Sequence, residues 1–236
     1  MTISATPIFI PGLILTRDIF AAQLDGLADT TTAKTADTLG RDSITAMAEA
    51  ALALADGPLV PVGISMGGYI AMEMARLAPQ RLAGIALLNT QHRADPPERR
   101  RQREATIEMA QSDRFRGVTR HLLKSFLSPA ALEDKTLVAR VIAMAGEVGR
   151  ENFVLQQRAI LGRRDQSDTL GALTVPALVL GGGLDTLTPP QTSRDMVELI
   201  PDAELVIMEE IGHLSTIEAP DEVTDILNAY LARLAA

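Results

Sequence analysis

Short apolar runs rich in β-branched residues alternate along the chain with longer segments in which apolar residues recur at helical intervals. The apolar runs predict strands over Pro7–Pro11, Thr31–Ala36, Leu59–Val62, Leu82–Leu88, Val175–Leu180 and Ala203–Met208. The segments between them predict helices over Ile19–Ala28, Ser43–Ala55, Tyr69–Leu77, Pro190–Leu199 and Glu222–Leu234. This alternation is typical of an α/β fold with about six mostly parallel strands and helices on both faces of the sheet.

The alternation is interrupted between Asn89 and Thr174, where the pattern predicts helices and no strand. These helices are expected over Pro97–Met109, Phe115–Phe126, Ala130–Met144 and Glu147–Leu161. We therefore expect a core formed by residues 1–91 and 169–236, with residues 92–168 inserted as a helical cap. The insertion has 15 Lys and Arg against 11 Asp and Glu, a net charge of +4; the remainder has 7 against 19, a net charge of −12.

Composition and charge narrow the possible chemistry. The 236 residues include no cysteine, which excludes disulfides, a thiol nucleophile and a cysteine-ligated metal site. The overall charge of −8 argues against a nucleic-acid partner, because a phosphate backbone requires a basic surface. No run approaches the roughly 18 consecutive apolar residues of a membrane span, and no basic region precedes the first apolar segment. We expect a cytoplasmic protein that does not bind a membrane.

A serine stands between two glycines in Gly63-Ile64-Ser65-Met66-Gly67, which has the spacing G-x-S-x-G. A serine on a sharp strand-to-helix turn adopts strained backbone angles, and glycines two residues away let the neighbouring backbone pass. The predicted strand and helix flank the motif in the required order, although Pro61 then needs a bulge or the end of its strand. The pattern predicts a nucleophile elbow; the alternative is a glycine-rich turn with an incidental serine.

A serine nucleophile needs a base and a third group that orients the base. Of the three histidines, His92 and His121 fall in the predicted insertion, whereas His213 follows the last predicted strand. Asp185 follows the preceding strand, after three glycines. Because the carboxyl ends of parallel strands meet at one edge of a sheet, Ser65, Asp185 and His213 can converge there. The alternatives are a histidine that caps the turn into the last helix, and an aspartate that is solvated or caps the helix after it.

Acyl transfer at Ser65 also needs hydrogen-bond donors for the oxyanion that develops on the substrate. The backbone N–H of Met66 follows the serine and opens the predicted helix. The loop after the first strand, Ile10-Pro11-Gly12-Leu13-Ile14, can direct the N–H of Leu13 to the same point. The alternative for this loop is an ordinary strand-to-helix turn.

Ser65 stands in G-x-S-x-G, Asp185 follows Gly-Gly-Gly-Leu, and His213 follows Gly212. In these motifs and in their order along the chain, Ser, Asp, His, the sequence resembles the α/β-hydrolase fold family. It is most similar to small, cap-bearing esterases and enol-lactonases, which share S-M-G-G, a G-x-x-D acid loop and a G-H before the last helix. The resemblance implies hydrolysis of esters or lactones without cofactor or metal. Two features depart from the family: Pro11-Gly12 replaces its frequent His-Gly, and little room is left for two strands before Pro7.

We therefore predict a serine hydrolase that cleaves ester or lactone bonds of small molecules. The alternatives are an acyltransferase or C–C bond hydrolase on the same fold, or a non-catalytic small-ligand receptor. A dinucleotide-binding oxidoreductase is disfavoured, because no glycine run has the order G-x-G-x-x-G. The positive insertion indicates either an anionic substrate or arginines on solvated helix faces. Candidates for the apolar roof of the pocket are Leu122, Leu123, Phe126 and Leu127, and the alternative for most of them is packing in the core.

Overall fold

Six parallel strands form one sheet in the computed structural model, which describes residues 5–28, 32–112 and 120–234. The order across the sheet is β2-β1-β3-β4-β5-β6, which confirms the predicted α/β architecture. The second strand is shorter than predicted, and Thr31 lies outside the described residues. The strands are β1 Thr6–Ile10, β2 Lys34–Thr35, β3 Leu59–Ile64, β4 Ile85–Leu88, β5 Ala177–Gly182 and β6 Ala203–Met208.

Helices connect the strands in the predicted order. In the core they are α1 Ala21–Gly26, α2 Ile44–Leu52, α3 Met66–Leu77, α9 Pro190–Leu199, α10 Ser215–Glu218 and α11 Pro220–Leu234. Short 3₁₀ turns at Arg17–Phe20 and Pro79–Arg81 complete the connections. None of the helices in the described ranges combines the length and the apolar character that crossing a bilayer requires.

Between β4 and β5 the described residues form helices and no strand, as the sequence predicts. These helices are α4 Pro97–Gln111, α5 Arg120–Phe126, α6 Pro129–Glu133, α7 Lys135–Leu161 and α8 Ser167–Gly171. The two helices predicted from Ala130 to Leu161 are divided differently: α6 is separate, and α7 continues to Leu161 across a kink at Gly149, where φ is 72°. Phe115, the predicted start of α5, lies outside the described residues. The boundaries of a separate cap at residues 92 and 168 stay a prediction.

Apolar side chains of the strands are buried on both faces of the sheet. Because side chains alternate along a strand, Phe9 and Val62 lie on one face with Leu227 of α11, whereas Ile8 and Leu87 lie on the other. The second face packs against α2, α3 and α9. Burial on both faces is the reason that the strands are continuous apolar runs in the sequence.

Pro61 lies inside β3, which has β1 on one side and β4 on the other. It is in register with Ile8 of β1. On the side of β4 the register shifts by one residue at Pro61. Before the proline Leu59 is paired with Leu82, and after it Val62 is paired with Ala86. One extra residue therefore lies between Leu82 and Ala86, opposite Pro61, so the missing N–H of the proline falls where the ladder is irregular.

Candidate active site

Ser65 occupies the turn between β3 and α3 with strained backbone angles, φ 55° and ψ −117°. Such angles persist only where surrounding contacts impose them. Here the N–H of Ser65 donates to the carbonyl of Leu88 at 3.0 Å, and the hydroxyl of Thr90 donates to the carbonyl of Ser65 at 2.8 Å. Both contacts come from the end of β4, so the neighbouring strand holds the turn in place.

The glycines around Ser65 are required by close contacts of the backbone. A Cβ atom on Gly67 would overlap the carbonyl oxygen of Ile10, and one on Gly63 would overlap the carbonyl oxygen of Gly67. A Cβ on Gly68 would lie 2.5 Å from the Cβ of Thr90. The G-x-S-x-G spacing therefore allows β1, β3 and the start of α3 to meet at one point.

Ser65, His213 and Asp185 form a continuous chain of hydrogen-bonded side chains. Ser65 Oγ lies 2.8 Å from His213 Nε2, and His213 Nδ1 lies 2.7 Å from Asp185 Oδ2. Both His213 and Asp185 are buried. The ring of Phe126 stacks on the imidazole, with 5.9 Å between centroids, and its carbonyl accepts the backbone N–H of His213 at 3.0 Å. The structure thus brings together the three residues that the sequence places after β3, β5 and β6.

The Asp185 carboxylate accepts hydrogen bonds on both oxygens. Oδ1 accepts the backbone N–H groups of Leu187 at 2.8 Å and Thr188 at 2.9 Å, and Oδ2 accepts the hydroxyl of Thr188 at 2.7 Å. Burial opposes ionisation of this group, but the charge of His213 and the hydrogen bonds from His213 and Thr188 outweigh it. Together they hold the pKa of Asp185 below its ordinary value, so the carboxylate is ionised at neutral pH.

Asn89, which was not among the predicted site residues, also contacts Asp185. Its Nδ2 donates to Asp185 Oδ2 at 3.2 Å and to the carbonyl of Gly212 at 3.1 Å, while its Oδ1 accepts the hydroxyl of Ser215 at 2.6 Å. Asn89 therefore ties the acid loop to the segment that carries His213. Its position directly after a buried apolar strand is the signal that could have indicated this role.

The predicted oxyanion donors lie beside the serine. As the first residue of α3, Met66 has no intrahelical acceptor for its N–H. The N–H of Leu13 has no acceptor among the described residues. A Cβ atom on Gly12 would lie 3.1 Å from Ser65 Cβ, so the loop that carries Leu13 packs against the serine. Leu13 and Met66 line the same cavity as Ser65 and His213.

A glutamine of the helical insertion supports this loop, and the sequence offers no signal for it. Ile14 has a φ of 58°, which is rare for a β-branched residue. Its N–H donates to Oε1 of the buried Gln156 at 3.0 Å, and Gln156 Nε2 donates to the hydroxyl of Thr38 at 3.1 Å. Gln156 thus connects α7 to two loops of the core.

The cavity above Ser65 has a volume of about 280 Å³ and contains both apolar and charged side chains. Of the four predicted roof residues, Leu122 and Phe126 line it, whereas Leu123 and Leu127 are buried in the core. To its polar lining α4 contributes Arg99, Gln102 and Arg103.

His92 is buried away from Ser65, in a separate cavity of about 150 Å³ that it shares with Glu73 and Arg163. Its Nδ1 has no hydrogen-bond partner among the described residues, and burial is the main cause that lowers its pKa. The side chain of His121 lies outside the described residues. No cluster of three or more carboxylates and imidazoles suited to a metal ion occurs in the described ranges.

A family model described as alpha/beta hydrolase fold matches residues 9–220 of the chain. At the level of sequence, the chain is 27% identical to the dihydrolipoyllysine-residue acetyltransferase component of the acetoin cleaving system of Pseudomonas putida. That match covers 94% of this chain and 58% of the relative, so the chain spans less than two thirds of that protein.

Two solved structures resemble the chain over nearly its whole length. The thermophilic esterase from Thermogutta terrifontis superposes with a TM-score of 0.90 at 26% identity, covering 98% of this chain and 91% of that one. The enol-lactonase from Burkholderia xenovorans LB400 superposes with a TM-score of 0.84 at 21% identity, covering 97% and 92%. At that identity the second likeness shows the fold alone. With the family model matching most of its length, the chain belongs to the α/β-hydrolase fold family.

Proposed function

We propose that the protein is a serine hydrolase that cleaves carboxylic ester or lactone bonds of small molecules through an acyl-enzyme intermediate. The observation that carries this proposal is the hydrogen-bonded chain from Ser65 through His213 to Asp185 at the base of a cavity. A hydroxyl in contact with an imidazole, which a buried carboxylate orients, is the arrangement that activates serine as a nucleophile.

The first step is acylation of Ser65. Because the ionised Asp185 can only accept, Nδ1 of His213 carries a proton, and Nε2 is free to take the proton of the serine hydroxyl. Oγ attacks the carbonyl carbon and forms a C–O bond while His213 becomes an imidazolium. Asp185 stabilises that cation and keeps the ring oriented. The N–H groups of Leu13 and Met66 donate to the oxyanion of the tetrahedral intermediate.

Collapse of the intermediate breaks the bond to the alcohol, whose oxygen takes the proton from His213. Water then attacks the acyl-enzyme, His213 removes a proton from it, and the second collapse returns that proton to Ser65 Oγ. An ester yields a free alcohol and an acid. A lactone yields a single hydroxy acid, because its alcohol and acyl parts remain joined.

An acyltransferase is the second candidate function, and the similarity to a relative named as an acetyltransferase component favours it. The same acyl-enzyme would form, but an alcohol, amine or thiol would replace water in the second step. A C–C bond hydrolase and a non-catalytic receptor are the other candidates on this fold. The cytoplasmic location and the absence of nucleic-acid and membrane partners stay predictions.

Hydrolysis of short-chain 4-nitrophenyl esters by the purified protein tests the proposal. We expect Ser65→Ala to lower kcat/KM by at least about 10³-fold, while Ser167→Ala on α8, outside the cavity, keeps the wild-type value. A fluorophosphonate probe should label Ser65 in the wild-type protein. Full activity of Ser65→Ala would overturn the mechanism. One nitrophenol released per chain without turnover would indicate a receptor, and faster nitrophenol release with an added alcohol would indicate acyl transfer.

A further inference from the structure

We infer that Arg99 and Arg103 form an anion subsite in the wall of the cavity, and that the substrate carries a carboxylate in addition to its scissile ester. This inference rests on the proposed function and deepens it by naming the class of substrate. Both arginines project from α4 of the helical insertion and line the cavity that contains Ser65 and His213.

The charges around Asp95 do not balance. Its carboxylate contacts three guanidinium groups: Arg103 Nε at 2.6 Å, Arg163 Nη2 at 2.7 Å and Arg99 Nε at 3.9 Å. Burial of Asp95 opposes ionisation, but the hydrogen bond and charge of Arg163 and the charge of Arg103 outweigh it and lower the pKa to about 2. One negative charge therefore stands against three positive charges, and two positive charges remain uncompensated within this cluster.

The three arginines also differ in how many of their hydrogen-bond donors already have a partner in the protein. Arg163 is buried; it lies over the ring of Tyr69 and donates to the carbonyls of Ile160 and Arg93 besides Asp95. Both terminal nitrogens of Arg163 thus donate to acceptors of the protein. Its Nε is buried and has no hydrogen-bond partner among the described residues.

Arg103 and Arg99 keep donors for a ligand. Arg103 donates Nε to Asp95 and Nη1 to Gln157 at 2.7 Å, and its Nη2 has no partner in the described part of the chain. The side chain of Arg99 is 35% exposed, and both of its terminal nitrogens contact the carbonyl of Leu187 only at 3.4 Å. A carboxylate can replace these long contacts with short, charge-assisted hydrogen bonds.

The size of the cavity limits the rest of the substrate. Its volume of about 280 Å³ lies just below the range of about 300–1,000 Å³ typical of sites for drug-sized ligands, which favours a small molecule. Apolar side chains that also line the cavity, including Leu122 and Phe126, accommodate the carbon skeleton. In such a partly enclosed site the two positive charges raise the local concentration of anions and attract a carboxylate more strongly than in open water.

The test compares two esters that differ only in charge: mono-4-nitrophenyl adipate and the same ester with its terminal carboxylate replaced by a carboxamide. The quantity measured is the ratio of their kcat/KM values, charged over neutral. We expect a ratio of at least about 10 for the wild-type protein, since hydrogen bonds to charged groups are among the strong ones. Arg103→Gln and Arg99→Gln should each lower the ratio about 10-fold.

Arg101→Gln is the matched control, because Arg101 lies on the same helix but is exposed and forms no ion pair among the described residues. It removes the same charge and should change the ratio less than 2-fold. Loss of Arg103 leaves Asp95 paired with Arg163 at 2.7 Å, and Arg99 makes only long contacts, so both variants are expected to fold. Thermal melting and the activity on the neutral ester check this.

The outcomes separate this inference from the proposed function. Ser65-dependent hydrolysis with a wild-type ratio near or below one, or with equal effects of all three arginine substitutions, would overturn the subsite and leave the hydrolase in place. Arginines that serve only to attach the insertion would lower the melting temperature without changing the ratio. Activity that persists in Ser65→Ala would instead remove the proposed function itself.

Discussion

Gln156 Oε1 accepts the backbone N–H of Ile14 at 3.0 Å, although 142 residues separate the two in the chain. This hydrogen bond secures a backbone turn with φ 58° at Ile14 and thereby the position of the adjacent N–H of Leu13. We expect Gln156→Met, which keeps the side-chain length and removes the acceptor, to lower kcat about 10- to 100-fold with KM changed less than 3-fold. The physical reason is that an oxyanion donor acts in the transition state more than in the bound ground state.

Thr38→Val is the control for Gln156→Met. It removes the other hydrogen bond of Gln156, from Nε2 to the Thr38 hydroxyl at 3.1 Å, and leaves the bond to Ile14. Gln156→Met loses both of these buried hydrogen bonds and Thr38→Val loses one, so both melting temperatures should fall, that of Gln156→Met further. Only Gln156→Met should lose kcat. An equal loss of kcat in both variants would mean that Gln156 acts through overall stability and not through the loop.

Asp185→Asn tests the role of the buried acid. An amide nitrogen facing His213 Nδ1 would donate where the carboxylate accepts, so the imidazole would place its proton on Nε2 and could not take the Ser65 proton. We expect kcat to fall roughly 10³- to 10⁴-fold with little change in KM. Steady-state kinetics on a short-chain ester measure this. The exposed Asp168→Asn serves as control, and a loss below 10-fold in Asp185→Asn would contradict the proposed role.

Gly67→Ala tests the steric basis of the elbow. The added Cβ would overlap the carbonyl oxygen of Ile10, a backbone atom of β1, so either the strand or the turn must move. We expect a loss of about 2 kcal/mol or more in the free energy of unfolding, together with loss of activity. Urea denaturation measures the first effect.

Gly146→Ala is the matched control in the same protein. A Cβ on Gly146 in α7 meets no atom within 4 Å, so the substitution is expected to stabilise the helix by about 0.5–1 kcal/mol. We therefore expect Gly67→Ala to lower the free energy of unfolding and Gly146→Ala to raise it. If Gly67→Ala were as stable and active as the wild-type protein, close packing would not explain the glycine at that position.

Glu73 on α3 makes stability depend on pH in the acid range. It is buried and accepts hydrogen bonds from Arg76 at 2.8 and 2.9 Å, from Thr45 at 2.6 Å and from Gln166 at 2.8 Å. Burial opposes its ionisation, but these hydrogen bonds and the charge of Arg76 outweigh it and lower the pKa from 4.5 to about 2. A depressed folded-state pKa contributes stability above pH 4.5, which is lost as the pH falls toward 2.

The difference between these two pKa values corresponds to a contribution of about 3 kcal/mol to the free energy of unfolding at neutral pH. We expect Glu73→Gln to lower the free energy of unfolding at pH 7 and to make it fall less steeply between pH 4.5 and 2. Urea denaturation at several pH values measures both effects. Glu104→Gln is the control, because Glu104 is exposed and forms no ion pair within the described residues. Identical pH profiles for Glu73→Gln and the wild-type protein would refute this account.

The sequence by itself determined the sheet and the elements that supply the candidate site. Strands buried on both faces must be continuous apolar runs, and close backbone contacts require glycine, so both features are visible without coordinates. The residues after β3, β5 and β6 could be named because parallel strands place their carboxyl ends at one edge. The missing N–H of proline likewise predicts that the pairing is irregular or ends at Pro61, and the register toward β4 changes there.

Only the tertiary structure decided which other side chains complete the site. Asn89 beside Asp185, Gln156 beneath Ile14, and Arg99 and Arg103 in the cavity wall are brought to their places by packing between distant segments. A polar residue on a helix has the same local pattern whether it faces solvent or a site, and net charge does not distinguish the two. The sequence therefore determined which residues meet at Ser65, and the packing of the helices between β4 and β5 decided which other side chains line the cavity beside it.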